Sequence, residues 1–112
     1  MEKSHYSIIY STGANKKQAR KIVKKLIEEK LIVCANTFPI TSIYRWRGNI
    51  VEEKEVAIIM KTKSTLFKKV QETIKDIHSY EVPEIILLSI TKGDPKYLKW
   101  IDESTLQRYD QE

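Results

Sequence analysis

One cysteine, two histidines, three glycines and three prolines are all that these 112 residues contain of those types. Each scarcity excludes something. Cys34 stands alone, so the chain cannot close an internal disulfide, and one thiol does not make a multi-cysteine zinc site. A lone thiol fits a reducing compartment. So little glycine and proline leaves no low-complexity linker. No apolar run nears the roughly 20 residues of a bilayer span, and the opening Met1 to His5 is polar, unlike the core of a signal peptide. The expectation is a cytoplasmic protein with no membrane partner.

What is present argues for one domain spanning 1–112. Hydrophobic residues make up 41% and charged residues 31%, a balance that builds a core and excludes disorder. Net charge is +5, and six of the ten residues from Lys16 to Lys25 are basic. They fall on the polar side of an amphipathic pattern, which reads as a solvated helix face and not as a nucleic-acid surface.

His5 to Thr12, rich in Tyr, Ile, Ser and Thr and bounded by Gly13, reads as a first strand. Asn15 can cap the helix that follows, with Gln18 completing a variant capping box. Ala19, Ile22, Val23, Leu26 and Ile27 repeat at helical spacing. The apolar run Leu31 to Ala35 starts a second strand, and Pro39 within it implies a bulge or an edge. Arg47-Gly48-Asn49 turns the chain into a third strand, Ile50 to Thr62, making a long hairpin. Ser64 is placed to cap a second helix with Phe67, Val70, Ile74 and Ile77 as its stripe. Ile85 to Ile90 reads as a strand buried on both faces. Gly93-Asp94-Pro95 opens a short third helix to about Ser104, with Tyr97, Leu98 and Ile101 at core spacing. The tail from Thr105 is weakly patterned. The order β-α-β-β-α-β plus one helix is an α+β, ferredoxin-like split βαβ sandwich.

Self-sufficient catalysis has no support. No spacing ties Cys34 to a histidine, and its apolar setting suits a structural thiol. Ser11 to Asn15 supplies one glycine where a phosphate cradle needs several. The third strand lacks the aromatics on which RNA-recognition motifs stack bases, and the first loop lacks the arginine with which acylphosphatases hold phosphate. The densest polar segment is His78-Ser79-Tyr80-Glu81-Val82-Pro83-Glu84. Its imidazole and two carboxylates are too few to close a tetrahedral metal site alone. Tyr44 and Trp46 stand near the hairpin tip, and exposed aromatics there, on an overlong hairpin, imply self-association.

Four segments together resemble the CutA family, the divalent-cation tolerance proteins. They are Glu28 to Asn36, Thr41-Ser42-Ile43-Tyr44-Arg45-Trp46-Arg47-Gly48-Asn49-Ile50, His78 to Ile85, and Gly93 to Trp100. The resemblance runs from about Tyr6 to Thr105. It implies a non-enzymatic homotrimer linked to tolerance of copper and other divalent metals, with weakly bound copper or another divalent cation as the one cofactor. Some members are proposed to hold copper through a cysteine and two histidines. By position these fall at Ser11, Ile77 and His78, so only His78 remains. The metal candidates are therefore His78, Glu81 and Glu84, and the candidate inter-subunit pocket is Tyr44, Trp46, Lys61 and Tyr80. The alternative is a signalling module similar to the trimeric nitrogen-regulatory proteins, binding a nucleotide or small anion in subunit clefts.

Overall fold

The structure, a computed structural model, describes residues 5–107. The readings of Met1 to Ser4 and of the tail beyond residue 107 lie outside the described residues. The chain runs β1 (Tyr6–Gly13), α1 (Lys16–Glu28), β2 (Cys34–Trp46), β3 (Asn49–Lys63), a 3-10 turn (Ser64–Leu66), α2 (Phe67–Ile77), β4 (Ile85–Ser89) and α3 (Pro95–Ser104). The sheet order is β2-β3-β1-β4, every neighbour antiparallel. This is the expected split βαβ arrangement with one added helix.

Local chemistry sets the helix ends. Asn15 Oδ1 accepts from Gln18 N–H at 2.8 Å, while Gln18 Oε1 reaches back to Ala14 N–H, one residue before the cap, at 2.8 Å. The helix ends in a Schellman motif: Leu31 N–H bonds Leu26 O at 2.9 Å and Lys30 N–H bonds Ile27 O at 3.0 Å. Lys30 takes the left-handed conformation this requires, φ +58°. The motif has a consequence for β2. Leu31 and Ile32 are buried as expected, but the chain is still turning there, so the strand begins at Cys34 and not at Leu31. At α3, Asp94 caps the N–H groups of Lys96 and Tyr97, with Pro95 at the first helical position.

One core lies between the sheet and α1 and α2. Ala19, Ile22 and Leu26 meet Val70 and Ile74 over Ile9, Ile58 and Met60. Each buried Ile or Leu contributes about 1.5–3 kcal/mol. The basic residues of Lys16 to Lys25 are all exposed on the opposite side of α1.

Three expectations are corrected. Ser64 does not cap α2 with its side chain; it opens the 3-10 turn, and its hydroxyl pairs with that of Ser7. β4 is not buried on both faces: it is an edge strand whose Ile86 and Leu88 are exposed. On α3, Ile101 is fully buried but Tyr97 is exposed, because the helix meets the rest of the chain along one narrow stripe. Pro39 makes no bulge. It pairs with Val56 in an unbroken register, and β2 lies at the sheet edge, where a missing N–H is tolerated.

β1 pairs with β3 only from Val56 to Lys63. From Asn49 to Glu55, β3 has β2 alone for a neighbour. This leaves a two-stranded ribbon projecting roughly 24 Å beyond the sheet, at about 3.4 Å per residue. Arg47 (φ +50°) and Gly48 (φ +83°) close its tip, both left-handed, as in a type I′ turn.

Candidate functional site

Alternation along the strands builds the site. Ile9, Ile58 and Met60 point to the helices, so the odd-numbered residues of β3, and the even-numbered residues of β2 and β1 paired with them, face the other way. Along the ribbon this second face carries Tyr44 and Trp46 from β2 and Glu53 and Glu55 from β3. The segment after α2 folds against it with Tyr80, Glu81 and Glu84. Together with Thr12 these residues enclose a cleft of about 510 Å³.

The cleft is acidic and aromatic. Tyr80 donates its hydroxyl proton to Glu55 Oε2 at 2.6 Å, and Tyr44 donates to Glu53 Oε1 at 2.6 Å. Glu55 is only 7% exposed. Burial, then the bond to Glu55 and the charges of Glu55 and Glu53, hold the Tyr80 hydroxyl far above the usual phenol range. The bond to Glu53 is the main cause that pushes Tyr44 up to about 12. Tyr10 is raised as well, by burial first and then by Glu84 and Glu55. All three phenols therefore stay protonated at neutral pH, in a field dominated by carboxylates. At the mouth of the cleft, Arg47 Nη2 pairs with Glu81 Oε1 at 3.0 Å, and its guanidinium lies 5.3 Å from the centre of the Trp46 ring. Both members of that ion pair are well exposed, so it contributes little to stability.

Five of the seven site residues singled out from the sequence meet here: Tyr44, Trp46, Tyr80, Glu81 and Glu84. Lys61 does not. It lies six residues beyond Glu55 along β3, opposite Cys34, and its ammonium donates to Asn36 Oδ1. His78 sits beside the cleft with both ring nitrogens engaged. Nδ1 accepts from Tyr80 N–H at 3.0 Å, which leaves the proton on Nε2, 2.7 Å from the carbonyl oxygen of Thr12. The imidazole thus ties the segment after α2 to the end of β1, and ligating a metal would cost one of these bonds. Glu53, Glu55 and Thr12 escaped the sequence reading. The available signal was the pair of glutamates two apart, on one face of a strand. Cys34 is half-buried at the start of β2, its Sγ 3.4 Å from Tyr97 Oη, and not in the fully buried strand expected.

The positions aligned with a copper site do not fit one. Ser11 is fully buried on the helix side of β1, Ile77 packs against the core, and His78 is committed as described. Among the described residues, no group of three or more His, Cys, Asp or Glu side chains is placed to hold a metal ion. Ser11 Oγ has no hydrogen-bond partner among the described residues. Because an unsatisfied buried hydroxyl costs about 1–3 kcal/mol, Ser11→Ala is expected to raise stability by about 1 kcal/mol, read as a higher urea midpoint with unchanged slope.

Residues 7–104 match the family profile described as CutA1 divalent ion tolerance protein. The divalent-cation tolerance protein CutA of Thermus thermophilus is 42% identical over 99 residues, covering 88% of this chain and 96% of that protein. The Pyrococcus horikoshii protein of the same description is 42% identical over 98 residues, with the same shares covered. Among solved structures, CutA1 of Shewanella sp. SIB1 superposes with a TM-score of 0.91 at 31% identity, over 95% of this chain and all of that one. The structure of the periplasmic divalent cation tolerance protein CutA from Archaeoglobus fulgidus gives 0.88 at 40% identity, over 88% of this chain and 97% of its own.

Proposed function

This chain belongs to the CutA1 divalent ion tolerance family, and from that premise we propose that it is a non-catalytic homotrimer that serves tolerance of divalent cations by attracting them into its acidic cleft. The observation that carries this reading is the gathering of Glu53, Glu55, Glu81 and Glu84 around one opening, with the single guanidinium of Arg47 at its rim. Carboxylate oxygens suit hard cations. Since no three such donors among the described residues converge on one point, the ion is held weakly and largely hydrated, by the field of the cleft. Copper at the aligned positions Ser11, Ile77 and His78 has no donor set to support it. The same carboxylates repel phosphate, which disfavours the nucleotide-binding alternative. Gly13, the last residue of β1, serves packing: a Cβ there would come within 3.0 Å of the Ala19 backbone nitrogen. The lone thiol of Cys34 is in keeping with a cytoplasmic location. No helix of the described residues is long and apolar enough to cross a membrane.

Calorimetric titration of one sample with calcium, copper and ATP tests the reading. Weak, saturable heat from the cations and none from ATP is expected. Glu55→Gln should lower cation affinity about tenfold, from the loss of one charge at close range in a half-wet site. Heat from ATP alone, or cation affinity that Glu55→Gln leaves untouched, would sink it.

A further inference from the structure

The carboxylates of the cleft are divided between two walls. Glu53 and Glu55 project from one face of β3, about 7 Å apart along the strand, and Glu81 and Glu84 come from the segment that follows α2. No three acidic, histidine or cysteine side chains among the described residues converge on a single point. A bare ion therefore satisfies only part of this charge at a time. A cation with several positive centres set along a flexible chain can engage both walls together.

The uncharged part of the lining agrees with such a shape. Tyr44, Trp46 and Tyr80 present ring surface beside the carboxylates. Aromatic faces attract ammonium and guanidinium groups and also accept methylene segments, whereas a hydrated metal ion gains little from them. At about 510 Å³ the cleft falls within the range of small-molecule sites, about 300–1,000 Å³.

The chain also carries its own example of the recognition. Arg47 lies against the Trp46 ring and reaches Glu81, 34 residues away in sequence. An organic cation stacked on an aromatic and paired with a carboxylate is thus already present at the mouth. It is exposed, and easily displaced.

We propose that the cleft binds a linear aliphatic di- or polyamine, its ammonium groups divided between Glu53 and Glu55 on the strand and Glu81 and Glu84 opposite, its methylenes against Tyr44, Trp46 and Tyr80. The proposal rests on the reading of the cleft as a cation site and names a ligand class for it. Arg47 acts as an internal competitor for Glu81. The chain as a whole carries a net charge of +5, which weakens non-specific attraction of polycations to its surface.

The test is calorimetry with spermidine on the full chain, at fixed ionic strength, with sodium chloride as control. Saturable binding is expected, about tenfold weaker in Glu55→Gln and a few-fold tighter in Arg47→Asn, which removes the guanidinium and keeps a residue tolerant of the left-handed turn. If Glu55→Gln fails to fold by circular dichroism, Glu53→Gln replaces it with the same expectation. Absence of spermidine binding, affinity indifferent to the glutamate change, or weaker binding in Arg47→Asn would each overturn the proposal. A calcium titration run in parallel keeps the two readings apart. Calcium without spermidine binding removes only this inference, and spermidine without calcium binding removes only the divalent-cation reading.

Discussion

Replacing Asp102 by alanine is expected to destabilise the protein by about 3 kcal/mol, a large share of a domain's total. The reason is Lys63. Its side chain is only 3% exposed, with Nζ 3.6 Å from Asp102 Oδ1 and 3.4 Å from the Asp102 carbonyl oxygen. Asp102 also takes hydrogen bonds from His5 Nε2 and from the Tyr6 hydroxyl, each at 3.1 Å. These contacts tie α3 to the first strand and to the end of β3. Breaking a buried pair from one side costs about 3–5 kcal/mol, because the other charge stays buried without its counter-charge, here with only the carbonyl oxygen of residue 102 left to it. Asp102 is 43% exposed, which places the cost at the lower end. Denaturant midpoints at one protein concentration measure it. Lys63→Met in the same chain should recover most of the loss by removing the stranded ammonium. If the double variant is no more stable than Asp102→Ala, the buried lysine is not the cause.

The same cluster predicts a pH dependence with a definite sign. The hydrogen bond from His5 is the largest cause lowering the Asp102 pKa; burial opposes it, while Tyr6 and the charges of His5 and Lys63 reinforce it. A folded-state pKa below the unfolded one, near 3.9, makes ionised Asp102 a stabilising group. Its contribution is fully present above the unfolded value and is lost as pH falls through the folded value. Acid titration of stability should therefore be shallower in Asp102→Asn than in the parent chain over that window. Parallel curves would remove Asp102 from the account.

The second large effect is expected at the ribbon. Ile43 and Ile50 are 65% and 72% exposed and lie on the ribbon face turned away from the cleft. Two strands paired only with each other are marginal in water. A ribbon this long, with bare isoleucines, therefore requires cover. Phe38, Ile86 and Leu88 add exposed apolar surface on the cleft-facing side of the sheet. The proposed homotrimer supplies that cover from further copies of the chain. Ile43→Asp combined with Ile50→Asp should abolish assembly, since each aspartate replaces burial worth about 2 kcal/mol with a desolvation cost in every copy. Sedimentation should then give 13.2 kDa, the mass of one chain. A parent chain that itself sediments at 13.2 kDa would refute the trimer.

Near-neighbour rules made much of the fold legible. The caps at Asn15 and Asp94, the stripe from Ala19 to Leu26, and the turn at Arg47-Gly48 each depend on residues a few positions apart. The expectations that failed involve distant partners. Ser64 has the right chemistry for a cap, but Ser7, 57 residues away, engages its hydroxyl. Leu31 and Ile32 look like strand and are buried like strand, yet the left-handed Lys30 delays extension until Cys34. The sequence Ile85 to Leu88 suits an interior strand, but neighbour order places it at an edge.

The sequence by itself determined the element order, the absence of any disulfide within the chain and the family resemblance, because these reside in composition, short-range periodicity and motif spacing. It also brought forward Tyr44, Trp46, Tyr80, Glu81 and Glu84. Only the tertiary structure decided that these five share one cleft, that Lys61 does not line it within one chain, and that Glu53 and Glu55 belong to it. The physical reason is strand register. A shift of one residue in the pairing of β2 with β3 would turn every one of their side chains to the opposite face, and nothing within a few residues of Glu55 records that Tyr80 will donate a proton to it.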